Sequence, residues 1–107
     1  MARTHYDKLI RDLIPAIIEK DGHRCAIEPM SDTEFQQALR KKLVEEATEA
    51  AAAPPEHLAA ELADVQEVIK ALMALHGLTS ESVLAVQSAR RQERGGFARR
   101  LRLLWTE

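Results

Sequence analysis

Apolar positions along the chain fall into helical stripes separated by punctuation. Phe35, Leu39, Leu43, Ala47 and Ala50 recur every three or four residues, the signature of a helix with one apolar face. Its start is marked by Ser31-Asp32-Thr33-Glu34, a capping box, with Met30 and Phe35 flanking it as a hydrophobic staple. Pro54-Pro55 stops that helix, and the second proline suits an early position of the next. From about 56 to 76, Leu58, Leu62, Val65, Ile69, Leu72 and Met73 share one face, and Gly77 ends the run. Thr79 or Ser80 caps a fourth helix carrying Val83, Leu84, Val86 and Ala89, which Gly95-Gly96 terminates. Upstream, Ile10, Ile14, Ile17 and Ile18 predict a short first helix near 10–20. Proline is tolerated only in the first turn, so Pro15 sets the onset near residue 13 with Asp12 as cap, and Asp21-Gly22 closes it.

These elements predict a single domain over residues 1–107, mainly all-α, built as an antiparallel four-helix bundle. Two segments are left open: RCAIE near 24–28 reads as a short strand, and RRLRLLW near 100–105 as either a last short helix or a strand paired with RCAIE.

Composition adds limits. Hydrophobic residues make up 46% and charged residues 30%, an ordinary globular balance, and the 4% aromatic content beside abundant Ala and Leu leans toward helix. The single Cys25 excludes an internal disulfide framework and fits a reducing compartment. Arg3, Asp7, Lys8, Arg11 and Asp12 break up the N-terminus, and no apolar run is long enough for a membrane span, so a cytoplasmic protein is expected. Net charge is only −2, but Glu28–Glu67 is strongly acidic and Arg90–Arg102 strongly basic. The arginine-rich end lacks interleaved aromatics and a recognition helix, so no nucleic-acid partner is expected. His5, His23, His57 and His76 have no metal-like spacing with Cys25.

The chemistry concentrates in LVEEATEAAAAPPEHLAAELADV, residues 43–65. Glu46 and Glu49 are three apart, as are Glu61 and Asp64, and the two pairs are mirror-placed about Pro55. Residues three apart lie on one helical face, about 4.5 Å apart along the axis. A tight turn at the prolines makes the flanking helices antiparallel neighbours, so Glu49 meets the level of Glu61 and Glu46 that of Asp64. Glu46 falls inside its helix's apolar stripe, and Glu61 and Asp64 lie along the Val68 and Leu75 flank, so the acids lean toward the seam. Four anions there repel by several kcal/mol at an effective dielectric of ~20, and a cation must answer them. Lys42, one turn before Glu46, neutralises at most one. Oxygen ligands without His or Cys suit a hard ion, Mg²⁺ or Mn²⁺.

The arrangement Glu45-Glu46-Ala-Thr-Glu49 followed by Glu61-Leu-Ala-Asp64 resembles the all-α nucleoside triphosphate pyrophosphohydrolase superfamily, the MazG-like enzymes and their relatives. YDKLIRDLIPAII at 6–18 and RGGF at 94–97 are similar to its small house-cleaning branch, with all three motifs in order. Asp7 stands where that branch often has Asn, and Leu13 where it often has Lys. The resemblance implies a MazG-like helical fold and Mg²⁺-dependent hydrolysis of non-standard nucleoside triphosphates to a monophosphate and pyrophosphate. It also implies a homodimer. Glu46, Glu49, Glu61 and Asp64 would hold the metal, and Glu45 would be the catalytic base. Lys8, Arg11, Lys42, Arg94 and Gly95 would bind the phosphates of the nucleotide. A phosphoribosyl-ATP pyrophosphohydrolase-type activity and a catalytically silent dimerisation module are the alternatives.

Overall fold

In a computed structural model, described here for residues 2–107, the chain is all-α and carries four helices in the expected order. They are α1 (Ile14–Lys20), α2 (Asp32–Ala52), α3 (Pro55–Leu75) and α4 (Ser80–Arg94). No cis peptide bond occurs among the described residues.

The starts of α2 and α4 follow local chemistry. Ser31 accepts from the Glu34 amide at 3.2 Å, and its own N–H donates to Glu34 Oε1 at 3.1 Å, so two otherwise orphaned donors are satisfied. Thr79 and Ser82 do the same for α4, with serine in the place usual for glutamate. Pro55 opens α3, where its missing N–H costs nothing. Gly22, Gly77 and Gly95 take positive φ just past the ends of α1, α3 and α4, a region closed to most side chains.

Two expectations are corrected. Asp12 does not cap α1. A turn in which the Ile14 N–H donates to the Arg11 carbonyl precedes the helix, and Leu13 takes the cap position with no side-chain bond. Nor do residues 24–28 and 100–105 form strands. A strand needs a partner for its backbone groups; Pro29 removes one donor beside the first segment, and Arg100 sits at φ 57°, which breaks extended geometry in the second.

Close packing is concentrated in the antiparallel α2/α3 hairpin. Leu39 of α2 (2% exposed) and Val68 of α3 (8%) are its buried centre. Phe35, Leu43 and Ala50 on α2, with Val65, Leu72 and Leu75 on α3, extend that seam half-buried. The α3 face that packs is therefore the one bearing Glu61, Asp64 and Val68. The denser stripe Leu58–Leu62–Ile69 faces outward, with Leu62 48% exposed. The chain turns through 111° from α3 to α4, and α4 has no extensive packing against the hairpin. Extents of 62 × 34 × 26 Å and a radius of gyration of 18.5 Å follow, against about 13 Å for a compact chain of this length. No single helix among the described residues is long and apolar enough to cross a membrane.

The capping box carries a pH signature. The Ser31 N–H, and secondarily its hydroxyl, holds the Glu34 carboxyl below its ordinary value of 4.5. A depressed carboxyl contributes stability above the unfolded pKa and loses it as pH falls through the folded one. Helical signal at the start of α2, followed by amide exchange, should be constant above pH 4.5 and fall below it in wild type. In Glu34→Gln that acid-linked step should be absent.

Candidate functional site

The double-proline turn brings three of the four mirror-placed acids together. Carboxylate oxygens of Glu46, Glu61 and Asp64 lie within 4.8 Å of one another at the α2/α3 seam. The Glu46 side chain is only 12% exposed, because it stands in the same stripe as Leu39 and Leu43. Glu49 is exposed and outside this group. Three residues advance a helix by 300°, an offset of about 60°. On α3 Glu61 and Asp64 both stay beside the seam, whereas on α2 Glu46 takes the seam and Glu49 falls on its exposed side.

Two protein cations attend the cluster. Arg11, in the segment before α1, donates from Nη2 to Asp64 Oδ1 at 2.9 Å, a contact 53 residues apart in sequence. Lys42 Nζ lies 3.5 Å from Glu46 Oε1. Both leave work undone. Glu46 Oε2 and Glu61 Oε2 are shielded from solvent and have no hydrogen-bond partner. Two like charges 4.8 Å apart repel by about 3–4 kcal/mol at an effective dielectric near 20, and less where Asp64 is open to water. Three carboxylates against two cations leave one net negative charge. Orphaned, inward carboxylate oxygens fit a hard divalent ion: the donor set is all oxygen, with no His or Cys, which suits Mg²⁺ or Mn²⁺ and not zinc.

A cleft of about 250 Å³ adjoins this cluster between the N-terminal segment and the first half of α2. Lys8, Lys41 and Lys42 line it together with Asp7, Glu34 and Glu45, three cations among three carboxylates. Lys8 also lies 5.4 Å from the centre of the Tyr6 ring, a cation–π contact. Lys42 belongs to both places, lining the cleft and pairing with Glu46. The spacing that makes this possible is short: Glu45 and Glu46 are adjacent, so one turns toward the cleft while the other enters the seam.

Of the residues expected at the site, Lys8, Lys42 and Glu45 meet in the cleft, and Arg11 with Glu46, Glu61 and Asp64 in the cluster. Arg94 and Gly95 lie at the end of α4, in neither place. Lys41 is a cleft residue that the pattern of the chain does not single out; its one signal is the doublet with Lys42 directly ahead of the acidic motif. Compared with known proteins, the chain matches no family model, no curated protein and no solved structure.

The repulsion in the seam is measurable without any substrate. Glu61→Gln should raise stability in chelator-containing buffer by about 1 kcal/mol, a melting shift of a few degrees. A lower melting temperature would mean that the Glu61 carboxylate is already compensated within the protein.

Proposed function

We propose that the chain is a divalent-metal-dependent hydrolase. It cleaves nucleoside triphosphates, non-standard ones among them, to a nucleoside monophosphate and pyrophosphate, and it works as a homodimer. The observation that carries this reading is the position of Lys42. It joins a lysine-lined cleft containing a half-buried carboxylate to an acid cluster with two unpartnered oxygens. A polyphosphate needs both, cations along its oxygens and charge compensation where the bond breaks. The resemblance of the acidic motif, the YDKLIRDLIP segment and RGGF to house-cleaning pyrophosphohydrolases points the same way.

Glu46, Glu61 and Asp64 are the ligands for Mg²⁺ or Mn²⁺, and the ion when bound supplies positive charge to phosphate oxygens and acidifies a nearby water. Glu49 joins them only through a side-chain swing, which its exposure permits. Glu45 accepts the proton of the attacking water. The water oxygen bonds to the α-phosphorus, the bond from that phosphorus to the bridging oxygen breaks, and pyrophosphate leaves. Lys8, Lys41 and Lys42 hold the chain's negative charge through that step. Arg11 answers Asp64 in the absence of an ion, and its guanidinium fork suits two phosphate oxygens once it is released.

Pyrophosphate release from a panel of standard and modified triphosphates, with phosphoribosyl-ATP included, tests the reading. Turnover should require Mg²⁺ or Mn²⁺ and vanish with chelator. Glu45→Gln and Asp64→Asn should each slow it at least ~100-fold with the fold retained. Turnover of phosphoribosyl-ATP alone would change the substrate and keep the site. No turnover of any of them by the folded protein would leave a helical dimerisation module in its place.

A further inference from the structure

Residues 78–105 contribute to neither the acid cluster nor the cleft. Val86 and Leu84 on α4 are exposed, and beyond it Phe97 is 97% and Trp105 70% exposed. A shallow groove of about 470 Å³ runs along α4, walled by Leu78, Val83 and Val86 with Arg90 at one side. The outward stripe Leu58–Leu62–Ile69 on α3 is likewise uncovered. In total the chain exposes 10140 Å². A compact monomer of 12.0 kDa exposes about 6,000 Å², so roughly 4,000 Å² is in excess. Obligate dimers bury about 2,000–5,000 Å² over both partners, and an excess of this size on each chain covers that requirement fully.

Charge selects the partner. The hairpin, Asp32–Leu75, holds nine acidic residues against Arg40, Lys41, Lys42 and Lys70. Arg90–Glu107 holds six arginines against two glutamates. Among the described residues none of those six arginines makes an ion pair. The basic apolar arm and the acidic apolar hairpin complement each other, yet within one chain the 111° turn after α3 keeps α4 from packing extensively on the hairpin. A second copy supplies the missing surface, and a closed two-fold pairing satisfies both arms at once.

We infer that α4 and residues 95–105 form an arm that docks on the α2/α3 hairpin of a second copy of this chain. Arg94 thereby serves the partner's phosphate cleft and not its own. The arm stands on area and charge alone; the task given to Arg94 rests on the phosphoanhydride hydrolysis proposed above. The arm covers the outward α3 stripe, and Arg94, placed ahead of two glycines that let the backbone bend, carries a guanidinium to the partner's phosphate cleft.

Sedimentation equilibrium of the full chain reads the first part, and mixed dimers read the second. The wild type should sediment at twice 12.0 kDa, and Arg99→Glu with Arg102→Glu should weaken the dimer while the helical signal persists. Val86→Asp should give monomers, and if it fails to fold the charge-reversed variant still decides. Differently tagged Glu61→Gln and Arg94→Gln chains are then co-expressed. Each variant alone should be nearly inactive. Random pairing gives half mixed dimers with one intact site each, so about a quarter of wild-type turnover should return. A wild-type monomer overturns the arm. Dimers whose mixture is no more active than the variants alone overturn the shared site. A wild-type dimer that turns over no triphosphate sinks the catalytic reading, and the Arg94 assignment with it, while upholding the arm.

Discussion

The structure depends on placing like charges inside a helical seam. Glu46 occupies a position that packing alone would give to an apolar residue, and Glu61 and Asp64 are drawn to it from across the hairpin. Burial removes water from Glu46 Oε2 and Glu61 Oε2 without giving either a donor. A fold that only needed stability would put leucine there, since unpaired buried charge is costly. The hairpin tolerates that cost because the double proline fixes its turn and because Arg11 and Lys42 offset part of the charge. What remains is an oxygen-lined demand for a cation, adjacent to a cleft that carries three lysines among its charges. The metal-bound polyphosphate proposed above would engage both.

How far the sequence discloses this differs from one residue to the next. The start of α2 was legible because Ser31 and Glu34 form a reciprocal, purely local bond. Glu46 was legible too, because a carboxylate within the stripe of Leu39 and Leu43 has to enter the seam. The mirror spacing correctly paired levels along the hairpin, but levels ignore rotation, and Glu49 turns away for that reason. On α3 the Val68 and Leu75 flank enters the seam with Glu61 and Asp64, as their spacing implied. Val65 and Leu72 of the apolar stripe join it, while Leu58, Leu62 and Ile69 are left outward. Periodicity identifies apolar faces and is silent on which partner each one meets. Asp12 failed as a cap for a related reason: the turn ahead of α1 was set by backbone bonding and not by side-chain chemistry. Arg11 reaching Asp64 over 53 residues is a tertiary contact that no local pattern encodes.

The uneven charge of the chain acquires a structural meaning in these terms. Acids gather on the hairpin and arginines on the arm, with the turn after α3 holding the two apart within one chain. Such a division favours pairing between chains, since each chain presents both halves of a complementary contact. Among the described residues only Leu39 and Val68 are buried, so four helices rest on a very small core. Short chains bury little by themselves, and the pairing proposed above would supply more.

The most direct measurement is Mn²⁺ binding by the purified protein, followed by the electron paramagnetic resonance signal of the free ion. Saturable binding by wild type that disappears in Glu46→Gln and Glu61→Gln is the result this account predicts. Wild-type protein that leaves Mn²⁺ free, or variants that take it up as wild type does, would contradict it.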